Sequence, residues 1–432
     1  MYRASCKGVL ALFLALTAWT ASAQLEIVID SFVVDPLPVA IVPFGWEGPG
    51  PRPYDVAQVI DDDLTGTGRF RSIARADMLE QPTAGHEVDL ADWRALQMDF
   101  VVIGKISALP GDNYRVSFQT FDTVRQEQIL AFDLTSPPSR LRGVGHYIAD
   151  LVYQKLLGIR GVFSTRIAYI TSTENRTFEL IVADADGENP RVIVRSAEPI
   201  MSPAWSPDGQ ELAYVVFEDG GSAIYTKNIY SGQRRRLSAR AGVNGAPAWS
   251  PDGRRMALTL SDRVGNLDIY IHDLMTGKLT RVTKHSAIDT EPAWSRNGEM
   301  LYFNSDRSGG PQIYEVAAKG GKPVRLTFEG NYNARPRLSP DGRTLAVVHN
   351  DQGNYRIGLL DLMTGGLRVV SDGRLDESPS FAPNGQILIY AGTRGRLGSL
   401  ETVSTDGLVK QQLSSTGLDV REPVWSPFPS DP

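Results

Sequence analysis

From about residue 165 onward, apolar and polar positions alternate in short runs separated by Gly-containing turns, the pattern of antiparallel strands. The apolar runs Leu212–Val215, Met256–Leu258, Leu301–Phe303, Leu345–Val347 and Ile387–Tyr390 each follow a copy of one motif. It reads PAWSPDG at Pro203 and Pro247, PAWSRNG at Pro292, PRLSPDG at Pro336, PSFAPNG at Pro379 and PVWSPF at Pro423, with the prolines 44, 45, 44, 43 and 44 residues apart. That period is the length of one four-stranded propeller blade.

Each copy predicts a strand through the Trp or its substitute, an Asp-Gly or Asn-Gly turn, and the apolar strand. A third strand follows near Ile224, Ile269, Ile313, Ile357 and Leu400, and a fourth after the glycines at 232, 277, 320, 365 and 407. At the start of the array, Ile167–Ile170, Leu180–Val182 and Val192–Val194 supply three strands with no Pro-x-Trp strand before them. The segment Pro423–Pro427 is the missing fourth. The expectation is an all-β six-bladed propeller over 159–432, closed three-plus-one, which leaves no open sheet edge to invite aggregation.

Residues 24–158 lack the period and read as an α/β domain. Strands are predicted over Leu37–Phe44, Phe100–Ile103, Tyr114–Phe121 and Gln128–Leu134, and helices over Asp55–Leu64, Ala91–Gln97 and Arg140–Leu157. Asp55 supplies the N-cap of the first helix and Gly66/Gly68 its stop. Residues 45–50, rich in Gly and followed by prolines, read as an irregular loop.

Before these domains, Arg3 and Lys7 precede an apolar run from Val9 to Trp19 and an Ala21-Ser22-Ala23 site, the pattern of a cleaved signal peptide over 1–23. The run is shorter than the roughly 20 residues a spanning helix needs. The single cysteine, Cys6, leaves with it, so the mature chain folds by packing alone in a compartment that permits disulfides; a bacterial periplasm fits. Loss of Arg3 and Lys7 takes the formal charge from −6 to −8, which argues against nucleic acid or anionic lipid as a partner.

Candidate chemistry is sparse. Asp208, Asp252 and Asp341 are calcium-type oxygen ligands, but Asp-Gly between two strands is turn chemistry first. Trp205, Trp249, Trp294 and Trp425, with Leu338 and Phe381 substituting, recur at one repeat position and read as packing between blades. No G-x-S-x-G nucleophile motif occurs, although serine peptidases carry propellers of this kind, and His86, His146, His272, His285 and His349 show no zinc spacing. The run Asp61-Asp62-Asp63 reads as a solvated helix face. No enzyme activity, cofactor or metal is expected.

The segments before the repeated prolines differ from blade to blade and are polar: Asn244-Gly245-Ala246, Asp289-Thr290-Glu291, Asn333-Ala334-Arg335, Asp376-Glu377-Ser378 and Val420-Arg421-Glu422. Variable loops on a repeated scaffold are where such folds place recognition. The candidate binding surface is therefore the propeller mouth: Asn244, Gly245, Ala246, Asp289, Thr290, Glu291, Asn333, Arg335, Glu377, Arg421 and Glu422. A sugar or small-ligand site in the channel, and a peptidase-related propeller lacking its hydrolase, are the alternatives.

Ile27-Val28-Ile29-Asp30, Ile41-Val42-Pro43-Phe44 with Gly48-Pro49-Gly50, Thr165-Arg166-Ile167-Ala168-Tyr169, Asn244-Gly245-Ala246-Pro247 and Thr290-Glu291-Pro292 together resemble the TolB family of the Tol-Pal envelope system. The resemblance implies a non-enzymatic periplasmic protein that binds the peptidoglycan-associated lipoprotein Pal at the mouth, through Asn244, Ala246, Thr290 and Glu291. It implies a second partner, TolA, at the N-terminal segment Gln24, Leu25, Glu26, Ile27, Val28, Ile29 and Asp30, and roles in envelope integrity and outer-membrane invagination at division. Val243 departs from the histidine that family members often carry there.

Overall fold

The computed structural model describes residues 35–173, 177–218, 220–394, 397–413 and 419–429. The predicted signal peptide and the segment Gln24–Asp30 lie outside the described residues.

The α/β domain runs β1 (Leu37–Ile41), β2 (Gly45–Glu47), α1 (Val56–Gly66), β3 (Phe70–Ser72), α2 (Leu90–Ala95), β4 (Phe100–Leu109), β5 (Asn113–Asp122), β6 (Glu127–Ser136) and α3 (Leu141–Leu157). Its sheet is ordered β3-β1-β4-β5-β6, with β2 also on β4. β1 pairs in parallel with β3 and β4, and the β4-β5-β6 run is antiparallel. The expected strand at Phe100 continues to Leu109, and the first expected strand stops at Ile41 rather than Phe44. Residues 45–47, expected in a loop, form β2 in parallel register with Lys105–Ser107.

Helix boundaries follow capping chemistry. The Asp55 side chain accepts the Gln58 amide at the start of α1, and Asp89 accepts Ala91 N at the start of α2. Gly158, with φ +71°, closes α3 by donating its N–H to the Gln154 carbonyl. Helices α1 and α3 cover one sheet face through Val56, Ile60, Leu64, Ile148 and Val152, and Trp93 of α2 plugs the other against Val101 and Ile103.

The remaining chain forms six four-stranded antiparallel sheets, the blades of a propeller. Blades 1 to 5 begin at the inner strands Ile200–Trp205, Asn244–Trp249, Asp289–Trp294, Asn333–Leu338 and Glu377–Phe381. Blade 6 takes its inner strand, Asp419–Trp425, from the C-terminal end and its other three from 166–196, with Trp425 opposite Ile167. The three-plus-one closure is therefore the observed one.

The repeated residues do structural work that explains the repeat. Ser206 Oγ accepts the Glu211 amide and donates to Asp208, which accepts the Gln210 amide, while Gly209 takes φ +67°. Ser250-Asp252-Gly253 and Ser339-Asp341-Gly342 repeat the arrangement, so these aspartates are engaged within their turns. Indole N–H groups tie blades 1, 2 and 3 each to the preceding one: Trp205 to Val424 O, Trp249 to Ala204 O and Trp294 to Ala248 O. Trp425 reaches Thr165 Oγ at 2.7 Å, binding the closing strand to the domain junction.

Candidate functional site at the propeller mouth

All six inner strands enter the sheet through the same irregularity. Ser202, Ala246, Glu291, Arg335, Ser378 and Glu422, each directly before a repeated proline, hold φ between +45° and +55°. The pairing register with the neighbouring strand slips at that point in every blade. Left-handed backbone is costly for a residue with a Cβ, and such conformations persist where surrounding structure imposes them. Here the bulge brings these six residues to the lining of a central cavity of about 340 Å³.

Four blades meet there through polar side chains and a fifth through a backbone amide. Arg335 Nε lies 3.1 Å from Glu291 Oε1 and its Nη2 3.3 Å from Glu422 Oε1, while Nη1 donates to Ser378 Oγ. Glu422 in turn accepts the Ser202 amide. Burial opposes the charged guanidinium of Arg335, but Glu291, Glu422 and Glu377 outweigh it and hold its pKa above the ordinary arginine value. Two residues further along the strand, burial lowers that of Arg337, whose Nη1 donates to the Pro336 carbonyl.

The predicted mouth residues divide by repeat position. Asn244, Asp289 and Asn333, three before each proline, are fully buried, so their side chains shape the loops instead of facing a partner. Asn244 donates to the Ser222, Arg240 and Gly242 carbonyls and accepts from Ser238 and Arg240 N. Asp289 takes both oxygens to Arg307 Nη2 at 2.8 Å, and Asn333 joins Gln312, Glu329 O and His349. Glu377 and Arg421 are exposed, whereas Gly245, Ala246, Thr290, Glu291, Arg335 and Glu422 are half-buried around the opening. Sequence reasoning missed the rim itself. Val243 and Ile288, four before their prolines, are 44% and 47% exposed, and Leu375 at the same position is 40% exposed. Their shared place in the repeat was the available signal.

The mouth faces away from the α/β domain. Inner strands start at the mouth and end at the Ser-Pro-Asp-Gly turns, and the α/β domain meets the propeller at that second end. There Arg69 approaches Asp406 at 3.8 Å, Arg142 approaches Asp184 at 3.6 Å and pairs with Asp186, and Asp150 accepts the Phe163 and Ser164 amides. Asp63 departs from the expected solvated face: it is buried, and its Oδ2 lies 2.7 Å from His146 Nδ1. Asp63 and Asp186 stand at opposite nitrogens of that imidazole and Arg142 occupies Asp186, an ion-pair arrangement.

The fold defines a two-domain propeller protein, with the propeller mouth on one face and an α/β domain on the other. Comparison with known proteins makes this specific. Residues 153–429 match the TolB beta propeller domain and 25–129 the TolB amino-terminal domain. The chain is 45% identical over 424 residues to the Tol-Pal system protein TolB of Xanthomonas campestris pv. campestris (strain B100), covering 97% of this chain and 96% of that one. It is 45% identical over 423 residues to the protein of the same name from Xanthomonas oryzae pv. oryzae (strain MAFF 311018), covering 96% of each. The crystal structure of TolB from Acinetobacter baumannii superposes with a TM-score of 0.84 at 40% identity, over 91% of this chain and 97% of that one. The chain belongs to the TolB family and is a non-enzymatic component of the Tol-Pal system.

Proposed function

We propose that this protein works in the periplasm as the link between Pal at the outer membrane and TolA of the inner-membrane complex, supporting envelope integrity and outer-membrane invagination at division. Pal binds at the propeller mouth, and TolA engages the N-terminal segment Gln24–Asp30. The observation that carries the reading is the apolar rim of Val243, Ile288 and Leu375 around a polar centre, on loops fixed by buried Asn244, Asp289 and Asp376. Rigid loops presenting exposed apolar side chains lower the ordering cost of binding a protein surface. The contacts proposed are this rim together with Gly245, Ala246, Thr290, Glu291, Glu377, Arg421 and Glu422. Among the described residues no helix is long and apolar enough to cross a membrane.

Calorimetric titration of the soluble domain of Pal into the full mature chain tests the mouth. Ile288→Asp is expected to weaken binding at least about tenfold, or about 1.4 kcal/mol, with an unchanged thermal transition. Wild-type affinity in that variant refutes the assigned surface. Deleting Gln24–Asp30 is expected to abolish TolA capture and spare Pal capture; TolA capture at the wild-type level refutes the second contact.

A further inference from the structure

The boundary between the α/β domain and the propeller contains a buried imidazole with one nitrogen satisfied and the other not. His146 projects from α3 and is 2% exposed. Its Nδ1 is 2.7 Å from Asp63 Oδ2 of α1, within its own domain. Its Nε2 is buried without a hydrogen-bond partner and points toward Asp186 Oδ2, 3.9 Å away in the propeller turn after Phe178–Asp184. A protonated imidazole donates from both nitrogens and attracts both carboxylates; a neutral one donates from one only.

We propose that His146 is a proton-operated clasp between the α/β domain and the propeller. Protonated, it bridges Asp63 of one domain to Asp186 of the other. Neutral, it keeps at most the bond inside its own domain, and two carboxylates flank an uncharged ring.

The groups facing His146 are Asp63 from α1, Asp186 from the propeller turn, and Arg142 and Asp150 one turn either side of it on α3, with Asp184 behind Arg142. Burial works against the charged imidazole and Arg142 adds repulsion, but Asp63 and Asp186 prevail and raise its pKa above the ordinary value. Burial likewise pushes the Asp63 carboxyl up to about 6 against the pull of His146. Both shifts mean that the folded cluster binds more protons than the unfolded chain. Its contribution to stability is therefore present below the unfolded histidine pKa and lost as pH rises through the folded one. The Arg142 pairs with Asp184 and Asp186 do not depend on this proton, so the domains stay joined when the clasp opens.

Hydrogen–deuterium exchange of the full mature chain, corrected for intrinsic rates, tests this at about pH 6.5, where Asp63 is still mostly ionised beside a charged His146, and at about pH 8.5, above the ordinary histidine range. The reporters are peptides over residues 162–166 and 184–188 at the boundary, with 300–305 in blade 3, which contains no histidine, as the control. In the wild type, protection at the boundary relative to the control is expected to be higher at the lower pH, by about tenfold for each pKa unit that folding adds to His146. Asp186→Asn keeps the size of the half-exposed propeller residue and removes its charge, and it is expected to flatten this ratio. His146→Gln is expected to flatten it as well. A wild-type ratio equal at the two pH values overturns the proposal, and so does an Asp186→Asn ratio equal to that of the wild type. Should His146→Gln fail to fold, the Asp186→Asn comparison alone decides between these outcomes.

Discussion

Ring closure rests on Trp425, and replacing it separates what its bulk contributes from what its N–H contributes. The side chain is 8% exposed and packs with Ile167, Tyr169, Ile389 and Leu400, so it joins strands from both ends of the array. Truncating a buried Trp to Ala costs about 3–5 kcal/mol through lost transfer energy and the cavity left behind. The bond from its indole nitrogen to Thr165 adds about 1 kcal/mol, and Thr165 Oγ keeps its own donation to the Val162 carbonyl when the indole goes. Phe381 fills the equivalent place in blade 5 with no N–H to offer, so the position tolerates an aromatic ring alone. Trp425→Ala is therefore expected to destabilise the propeller by about 4 kcal/mol and Trp425→Phe by about 1–2 kcal/mol. Urea unfolding followed by far-ultraviolet circular dichroism measures both. Equal losses in the two variants would place the energy in the hydrogen bond and refute the packing argument. A stable Trp425→Ala protein would refute the claim that this strand holds the ring shut.

Two further substitutions probe the scaffold. Asp289→Ala leaves the Arg307 guanidinium, largely buried, without the carboxylate it now grips with both oxygens, and is expected to cost about 3–5 kcal/mol in urea unfolding. A loss under about 1 kcal/mol would show the pair to be dispensable to the loop. In the other domain, a Cβ at Gly145 would fall 2.8 Å from Val59 Cβ and 3.3 Å from the Val56 carbonyl where α3 crosses α1. Gly145→Ala is expected to destabilise by about 1–3 kcal/mol despite alanine's better helix propensity, and a raised melting temperature would show that the helices can part at no cost.

The propeller is openly legible in the sequence and the architecture of its mouth only in part, and one physical distinction explains both. A repeat reports what the blades share: the Asp-Gly or Asn-Gly turn and the apolar second strand recur in blades 1 to 5 and the inter-blade indole bond in blades 1 to 3, so blade number and closure follow from the spacing. The α/β domain had no repeat, and its shortest elements escaped. β2 lies among Gly and Pro residues, and β3 has three residues, too few for a periodic pattern. At the mouth, polarity and variability suggest exposure, but burial is decided by three-dimensional partners. Asn244 and Asp289 resemble solvent-facing loop residues in the sequence, yet one is satisfied by backbone carbonyls and the other by an arginine 18 positions away. Asp63 repeats that case, since α3 buries it against His146, and Val243 is the reverse, an apolar side chain left exposed at the rim. Each of these misreadings concerns a polar or apolar group whose surroundings are set by residues distant in sequence. At the mouth the corrections converge: buried polar anchors hold the loops, left-handed residues before the prolines turn their side chains to the channel, and apolar side chains are left outermost on the rim.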